Sequence, residues 1–325
     1  MLERIGFVGF GEAGYHIAKG LRGAGLAETF AYDIDTGERV RGRARETRTE
    51  LVDSNAALAQ ACDVIFCAVT ADQALNAAEQ TAPFLGSRHF YCDVNSVSPQ
   101  MKQAIGRTVS SQARAGPARP SKQSGDLEAS AEPGSVVRAS SVGGARFVEA
   151  AMMAPVPPHA HKVPMLLGGE AAPEFVEMLT PFGMRMEVVS IDQIGRAAAV
   201  KMFRSVVYKG LEALMFECVM GASRYGAEPR VFASLNESFP GIDFQKLADY
   251  MIGRVVVHGE RRAREMEEVA ATLRELGIEP MMAEATVRRM DWAAALELKA
   301  RFAGEFPKSY KEVLEAIALQ TLNSR

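Results

Sequence analysis

The sequence predicts an α/β protein in which a doubly wound, mostly parallel sheet is followed by a long helix and an all-helical C-terminal domain. Three observations carry this prediction. Short apolar runs alternate with helical patterns through the first half of the chain, an order that implies crossover connections and parallel strands. A glycine-rich turn joins the first predicted strand to the first predicted helix, and only helical patterns follow residue 190.

The first part of the chain contains four strand patterns separated by helical ones. The strand patterns occupy residues 4–8, 29–32, 64–69 and 89–92, and the helical patterns occupy residues 12–21, 56–61 and 73–82. The run at 64–69 (VIFCAV) is apolar throughout, as in a strand that is buried on both faces. Strand patterns return at residues 147–151, 164–167 and 184–189.

Between these two sets of strands lies a segment of different composition. Residues 110–144 are rich in Ser, Ala, Gly, Pro and Arg, and no aromatic residue lies between Tyr91 and Phe147. Such a segment cannot bury enough apolar surface to offset the entropy lost on ordering. We predict a flexible insertion at 110–144, with a lid or a partner-binding arm as the alternative.

The C-terminal part of the sequence predicts helices only. Asp192 is predicted to cap a helix longer than the usual range of roughly 8–20 residues, which is typical of a helix that links two domains. Further helices are predicted at residues 231–235, 243–257, 261–276, 283–297 and 310–322. We therefore expect a first domain at 1–190 and a helical domain for substrate binding and dimerisation at 191–325.

Composition excludes several classes of protein. At 325 residues and 48% hydrophobic content, the chain can form about two folded domains and is not disordered as a whole. A net charge of −3 argues against a nucleic-acid partner, and the absence of an apolar run of about 18 residues argues against a membrane span. The N-terminus does not resemble a signal peptide, and the four cysteines include no Cys-x-x-Cys pair. We expect buried reduced thiols, a cytoplasmic location and no metal site.

The most informative motif is the glycine turn formed by Gly9, Phe10, Gly11, Glu12, Ala13 and Gly14. In a G-x-G-x-x-G sequence the first glycine permits the tight turn, the second admits a pyrophosphate, and the third lets the helix pack closely on the strand. The helix N-terminus then presents N–H groups to the phosphates. The turn therefore predicts a Rossmann domain that binds a dinucleotide, and Val69 and Thr70, at the end of the strand pattern 64–69, are predicted to line the cofactor as well.

Asp33 indicates which dinucleotide is bound. It follows the second strand pattern, about where an acidic residue accepts a hydrogen bond from the ribose 2′-hydroxyl of NAD. Four arginines lie just downstream and offer an alternative, because they could accept the 2′-phosphate of NADP: Arg39, Arg41, Arg43 and Arg45. The prediction is NAD, with NADP left open.

With these motifs in place, the sequence resembles the β-hydroxyacid dehydrogenase family, which includes 3-hydroxyisobutyrate, tartronate-semialdehyde and 6-phosphogluconate dehydrogenases. The opening GFVGFGEAGYHIAKGL is similar to the N-terminal signature of that family, and DVNSVSP at 93–99 is similar to its D-x-S-T-x-x-P substrate motif. GRAAAVK at 195–201 looks like the segment that carries its catalytic lysine. The stretch HGERRAREMEEVAATLRELGIEP is similar to a branch of 6-phosphogluconate-dehydrogenase-like oxidoreductases.

Two positions depart from the family pattern. The D-A-P-V-S-G-G of the family is EAAMMAP at 149–155, so the loop lacks its glycines. The asparagine that the family places four residues after its lysine is Ser205, whose hydroxyl can still share a helix face with Lys201. These differences leave the class of reaction in place and make the substrate uncertain.

Lys201 is the predicted general acid–base. A lysine on an apolar helix face is disfavoured in its charged form, which suits proton transfer; the alternative is a lysine that extends its head group into solvent. Asn95 and Ser96 follow a strand end, where doubly wound sheets bind ligands, and we expect them to contact substrate. The alternative is that this segment caps a helix that begins at Ser98 and Pro99. His159 and His161 are predicted substrate-loop residues, with solvent exposure as the alternative. His258, Arg261 and Arg262 form either an anion-binding group or a solvated helix face.

Together these features predict an NAD(P)-dependent oxidoreductase. Hydride would pass between the nicotinamide and a small, anionic hydroxy acid or its aldehyde or keto counterpart. An oxidative decarboxylase or an imine reductase on the same scaffold is the alternative within the enzyme class, and a non-catalytic NAD(P)-binding sensor is the alternative outside it. Apolar helix faces in the C-terminal domain favour a homodimer.

Overall fold

The computed structural model describes residues 2–111 and 144–323. The chain divides into two compact units, which meet in sequence between Lys201 and Met202. The domain boundary predicted at 190/191 stays a prediction. Within the described ranges, no helix has both the length and the apolar character that a membrane span requires.

The first unit is built around a single eight-stranded sheet, ordered β3-β2-β1-β4-β5-β6-β7-β8. Its strands are β1 (Arg4–Val8), β2 (Glu28–Tyr32), β3 (Thr49–Leu51), β4 (Val64–Cys67), β5 (Phe90–Asp93), β6 (Arg146–Met152), β7 (Met165–Gly168) and β8 (Met186–Ser190). Every neighbouring pair is parallel except β6 and β7. The predicted mostly parallel, doubly wound sheet is confirmed.

Helices cover both faces of this sheet, and two core clusters lie beneath them. The helices are α1 (Glu12–Gly23), α2 (Glu38–Thr47), α3 (Asn55–Ala61), α4 (Ala74–Thr81), α5 (Pro99–Ser111) and α6 (Ala172–Leu179). On one face Phe7 stacks on Phe66, with ring centroids 5.7 Å apart, and Phe66 meets Phe175 of α6 edge to face. On the other face Ile65 and Tyr91 are fully buried. Successive side chains of the central strands therefore point alternately into two cores, as expected for a sheet that is covered on both faces.

Three elements of this unit were not predicted. The residues of α2 are mostly polar, and only Val40, Ala44 and Thr47 are buried, so the apolar pattern there is too sparse to indicate a helix. The strand β3 has only three residues, too few to show a pattern, and the helix α6 was not predicted. Ser110 and Ser111, predicted to open the insertion, belong to the end of α5; residues 112–143 lie outside the described part.

Three of the four cysteines are buried thiols. Cys62, Cys67 and Cys92 are all buried, and Cys218 is half-buried. Burial raises the pKa of the Cys62 and Cys67 thiols to about 12, so neither forms a reactive thiolate near neutral pH.

The second unit is entirely helical, as predicted. It contains most of α7 (Arg196–Ser223), followed by α8 (Glu228–Ser238), α9 (Phe244–Glu275), α10 (Met281–Ala295), α11 (Leu298–Arg301) and α12 (Tyr310–Asn323). Its core gathers apolar side chains from all six of these helices, including Phe216, Val255, Met290 and Val313, which are fully buried. The two helices predicted at 243–257 and 261–276 are one continuous helix, α9.

Candidate active site

The carboxyl ends of the central strands define one edge of the sheet. β1 pairs with β2 on one side and with β4 on the other, so the direction of chain winding reverses between β1 and β4. Such a reversal opens a crevice outside the strand ends, and ligands of doubly wound sheets bind there. The glycine turn follows β1, and the segment carrying Asn95 and Ser96 follows β5, at this same edge.

The three glycines of the turn meet three different requirements. Gly9 has φ +85°, and a Cβ atom there would lie 2.6 Å from the carbonyl oxygen of Ala68. A Cβ at Gly14 would lie 2.6 Å from the carbonyl oxygen of Gly9, whereas a Cβ at Gly11 would meet nothing within 4 Å. Gly9 and Gly14 are therefore needed by the fold itself. The space at Gly11 is what close approach of a pyrophosphate would use.

The start of α1 also suits an anionic ligand. Gly11 is its N-cap residue and has no side chain to accept from the first N–H groups, which leaves those donors and the positive end of the helix dipole for a phosphate. Phe10 points its ring into the core, Glu12 is exposed in the first turn, and Ala13 is half-buried. The turn therefore has the composition of a pyrophosphate cradle.

Asp33 is tied to the glycine turn. One carboxylate oxygen accepts the N–H of Phe10 at 2.6 Å, and the other accepts the N–H of Asp35 at 2.8 Å. The carboxylate thus stands at the end of β2 beside the cradle. Among the downstream arginines, Arg39 pairs with Asp35, and Arg43 lies over the Tyr15 ring and reaches the carbonyl oxygen of Phe10.

Val69 and Thr70 follow β4 on the other side of the turn. The Val69 side chain lies 2.8 Å from the point that a Gly9 Cβ would occupy, so it borders the glycine turn directly. Thr70 is exposed and begins a short 3-10 turn. Both positions adjoin the predicted cradle.

The structure brings Lys201 and Ser96 together. The Lys201 ammonium donates a hydrogen bond to the Ser96 hydroxyl at 2.6 Å, joining the first turns of α7 to the segment after β5. Ser96 is exposed and Lys201 is half-buried. The two residues therefore form a polar group at the sheet edge that a ligand could reach.

Asn95 is buried beneath this group and is held on two sides. Its amide nitrogen donates to Asp93 Oδ1 at 2.5 Å and to Cys67 Sγ at 3.3 Å. Ser98, two residues after Ser96, accepts the N–H of Met101 and so caps α5. The helix-capping alternative thus applies to Ser98, while the Asn95 amide is fixed by the strand ends.

A buried lysine that the sequence analysis missed lies next to Asn95. The Lys102 ammonium donates to Asp93 Oδ2 at 2.6 Å, to the Asp93 carbonyl at 2.7 Å and to the Ala150 carbonyl at 3.0 Å. Its side chain is 1% exposed and that of Asp93 is 0% exposed. All three ammonium protons are therefore satisfied, and the pair links α5, β5 and β6 under the site.

Glu149 of β6 is the second buried charge that was missed. Its two oxygens accept the N–H groups of Gly195 and Ala198, each at 2.6 Å, and so cap the N-terminus of α7. Asp192, predicted to be that cap, instead accepts from the Ser190 hydroxyl. Burial raises the pKa of Glu149, while the two backbone donors and the nearby Lys102 oppose that rise.

The remaining predicted site residues do not join the Lys201–Ser96 group within the first unit. His161 is buried against α1, donates from Nε2 to the Phe182 carbonyl oxygen at 2.9 Å, and occupies the space beside Gly20, which is a structural position. His159 is exposed. Ser205 follows Lys201 in α7 and falls in the second unit.

The contacts of Arg262 alter the interpretation of the predicted anion-binding group His258, Arg261 and Arg262 in the helical unit. Arg262 is buried and forms two hydrogen bonds with the fully buried Glu212, while Arg254 donates to the same carboxylate at 3.1 Å. Arg262 is therefore neither a solvated residue nor an open anion site. In the described residues no three His, Cys, Asp or Glu side chains gather as a metal site needs.

Two family descriptions match parts of the chain. Residues 17–130 match the nucleotide-binding domain of prephenate dehydrogenase, a stretch that begins just after the glycine turn. Residues 222–293 match a domain of unknown function, DUF1932. A curated relative, an uncharacterised 28.5 kDa protein of Methanothermus fervidus, is 24% identical over 293 residues and covers 87% of this chain and 96% of its own.

Solved structures extend the likeness to the whole chain. A conserved hypothetical protein from Sinorhizobium meliloti is 33% identical, covering 98% of this chain and 96% of its own with a TM-score of 0.77. A conserved protein of unknown function, described as structurally similar to 3-hydroxyacid dehydrogenases, is 28% identical, covering 93% and 99% with a TM-score of 0.71. At 12–14% identity, a Mycobacterium tuberculosis 3-hydroxyisobutyrate dehydrogenase and a Pseudomonas imine reductase share the fold, with TM-scores of 0.65 and 0.53. With the glycine turn, the sheet order and these full-length relatives together, the chain belongs to the NAD(P)-binding, 6-phosphogluconate-dehydrogenase-like family that includes the 3-hydroxyacid dehydrogenases.

Proposed function

We propose that the protein is an NAD(P)-dependent oxidoreductase that acts on a small hydroxy acid or its aldehyde or keto counterpart. The observation that carries the proposal is the contact between Lys201 and Ser96 at the carboxyl edge of the sheet. That edge also holds the glycine turn with its open space at Gly11. A proton-transfer group and a dinucleotide cradle at one sheet edge are the two parts that hydride transfer to or from a carbonyl needs.

The residues present suit a nicotinamide dinucleotide. The first N–H groups of α1 would hold the pyrophosphate, Val69 and Thr70 would border it, and Asp33 would accept a hydrogen bond from the ribose 2′-hydroxyl. A carboxylate at that position repels a 2′-phosphate, so we propose NAD in preference to NADP. The bound nicotinamide supplies or accepts the hydride.

Each side chain of the site then has a definite task. Lys201 gives a proton to the substrate oxygen in reduction and takes it in oxidation, while Ser96 holds the ammonium and contacts substrate. Asn95 orients the substrate from below, and Ser205 and His159 are proposed as further substrate contacts. The positive charge of Lys201 at this edge suits an anionic substrate.

A homodimer through the helical unit is part of the proposal. Val207 and Leu214 of α7 are 73% and 55% exposed in the single chain. Exposed apolar side chains seven residues apart on one helix are typical of a face that another protein surface covers. A monomer by light scattering at micromolar concentration would contradict this part.

The experiment is a turnover assay with a matched pair of lysine variants. The protein is first titrated with NAD, NADH, NADP and NADPH by intrinsic and cofactor fluorescence, and then assayed with a panel of small 2- and 3-hydroxy acids. We expect Lys201→Met to bind nucleotide like the wild type and to lose about 10²–10⁴-fold in turnover. Lys246→Met, at an exposed lysine of α9, is the control and should retain turnover. Full activity of Lys201→Met would contradict the proposal.

The same assay separates the alternatives. Release of carbon dioxide together with a ketone would identify an oxidative decarboxylase. Reduction of cyclic imines, added to the substrate panel, would identify an imine reductase, and the Pseudomonas imine reductase has the same fold. Nucleotide binding without turnover of any substrate would favour a sensor. Ser205 and the changed, glycine-free loop at 153–155 are the features that keep this last alternative open.

A further inference from the structure

We infer that Glu149 is a positioning residue whose buried carboxylate fixes the N-terminus of α7 and thereby sets the position of the Lys201 ammonium relative to Ser96. The inference rests on the role proposed for Lys201. It concerns a residue of β6 that does not contact the predicted substrate group. Its effect would pass through the backbone of the helix.

The geometry of the cap links the strand to the catalytic helix. Glu149 accepts from Gly195 and Ala198 at 2.6 Å each, and these N–H groups are among the four that a helix start leaves without partners. Lys201 comes three residues after Ala198, a rise of about 4.5 Å. A shift of the first turn would therefore move the Lys201 side chain directly.

The surrounding chain makes room for this carboxylate. A Cβ atom at Gly168 would lie 2.7 Å from Glu149 Oε2, so a side chain at this position of the neighbouring strand β7 would displace the carboxylate. Gly195 has φ +103°, and its hypothetical Cβ would lie 3.1 Å from the Pro99 carbonyl oxygen. Two glycines thus accommodate a cap that comes from 46 residues away, where a local Ser or Asp would serve an ordinary helix.

The charges around Glu149 make this cap electrostatic as well as geometric. Lys102 of α5 and Asp93 of β5 are the charged groups that face it, and they form a neutral pair with each other. Both oxygens accept N–H donors, an arrangement that favours the ionised carboxylate. Its negative charge offsets the positive end of the α7 dipole within about two turns of Lys201.

An amide at position 149 separates two roles of the carboxylate, which are positioning Lys201 and stabilising the fold. Replacing the carboxylate by an amide removes the negative charge and one of the two acceptor oxygens. The helix start is then free to shift, and the dipole acting on Lys201 is no longer offset. We expect the limb of the pH–rate profile that reports Lys201 to move to lower pH, because a more positive surrounding favours the neutral amine.

The test compares Glu149→Gln and Glu149→Asp with Ser54→Ala, which removes the N-cap of α3 in the same unit. Glu149→Gln should lower kcat about 10–100-fold, leave the dissociation constant for the dinucleotide within about twofold, and shift the pH limb. Glu149→Asp should lower kcat without the pH shift, because it keeps the charge but cannot reach both N–H groups. Ser54→Ala should lower the midpoint of urea unfolding without changing kcat or the pH limb.

A loss of stability in Glu149→Gln with wild-type kcat and an unmoved pH limb would overturn the inference. If Glu149→Gln does not fold, full kcat in Glu149→Asp overturns it instead. If the wild type turns over no substrate, the proposed function fails, and the inference is then tested without activity. Reductively ¹³C-methylated lysines are titrated by NMR, with Lys201 assigned through Lys201→Arg; an identical titration in wild type and variant would contradict it.

Discussion

The ammonium of Lys201 lies 2.6 Å from the hydroxyl of Ser96, although the two residues are 105 positions apart in the chain. The contact joins α7 to the segment after β5, at the edge where the sheet ends. Ser96 is exposed while its neighbour Asn95 is buried. Lys201 therefore donates to an accessible hydroxyl, and the neighbouring Asn95 is held by the strand ends.

Removing that hydroxyl should reduce turnover without unfolding the protein. Ser96→Ala leaves Lys201 without this acceptor, and we expect kcat/KM to fall about 10–100-fold while nucleotide affinity stays unchanged. Ser96→Thr, which keeps a hydroxyl, should recover part of the loss. Ser87→Ala, at an exposed serine before the other end of β5, is the control; steady-state kinetics on all three variants is the measurement. Unchanged kcat/KM in Ser96→Ala would show that the contact does not serve the reaction.

The three glycines of the turn should respond differently to alanine. Gly9→Ala and Gly14→Ala place a Cβ 2.6 Å from a carbonyl oxygen, and we expect both to lower the free energy of unfolding by about 1–3 kcal/mol or more. Gly11→Ala meets open space in the protein and should fold normally. Its methyl group would instead occupy the cradle and weaken dinucleotide binding by at least about tenfold. Urea unfolding and fluorescence titration separate the two effects; normal binding by Gly11→Ala would place the pyrophosphate elsewhere.

The parts of the fold that could be predicted are those whose requirement is local. The bounds of β1 and the succession of strands and helices along the first unit follow from apolar runs separated by helical patterns, and the glycine turn follows from backbone geometry. The predicted break between two helices at 258–260 was wrong, because Gly259 lies within α9 and does not end it. It lets the helix approach α10, with the Met290 carbonyl 3.3 Å from the hypothetical Cβ.

The buried charges could not be predicted for a physical reason. Lys102 and Glu149 look like residues on the polar side of their elements, and a charged residue is usually exposed. Their partners come from elsewhere in the chain: Asp93 and the Ala150 carbonyl for Lys102, and the start of α7 for Glu149. Asp192 was predicted to cap α7 because a local sequence pattern shows only residues that are close in the chain, and Glu149 is not.

Asp33 should determine the preference between the two dinucleotides. Replacing it with serine removes the negative charge that would face a 2′-phosphate and the acceptor for the 2′-hydroxyl. We expect Asp33→Ser to weaken NAD binding and to shift the ratio of NAD to NADP affinities by at least about tenfold toward NADP. Asp53→Asn, at an exposed aspartate, is the control. The same ratio in wild type and Asp33→Ser, measured by fluorescence titration, would remove the basis for proposing NAD.

Removing one partner of the Lys102–Asp93 pair should lower the free energy of unfolding more than replacing both partners. Lys102→Met leaves the fully buried Asp93 without its counter-charge, and we expect a loss of about 3–5 kcal/mol in the free energy of unfolding. The double variant Lys102→Met/Asp93→Asn should recover a large part, because no unpaired charge remains. Arg88→Met, which breaks an exposed pair with Asp63, should have a small effect. Urea unfolding of the wild type, Lys102→Met, Asp93→Asn and the double variant completes the cycle, and additive losses would contradict a coupled pair.

His161 should make stability depend on pH in a defined direction. Burial lowers the pKa of His161, with Lys162 adding to the effect and the Phe182 carbonyl opposing it. The native protein therefore prefers the neutral ring. Protons bind the unfolded chain first as pH falls below the ordinary histidine value of about 6.5. The stability that the neutral ring contributes is complete above that pH and is lost progressively below it.

The measurement is the free energy of urea unfolding between pH 7.5 and pH 5 for wild type, His161→Phe and His159→Phe. These pH values are set by the ordinary histidine pKa of about 6.5. His161→Phe keeps a ring against Gly20 but loses the hydrogen bond to the Phe182 carbonyl, so it should be less stable at pH 7.5 and less sensitive to acid. His159→Phe alters an exposed histidine of the same loop and should follow the wild-type curve. Equal acid sensitivity in His161→Phe and wild type would mean that the buried ring does not couple protonation to folding, and would reopen a substrate role for this histidine.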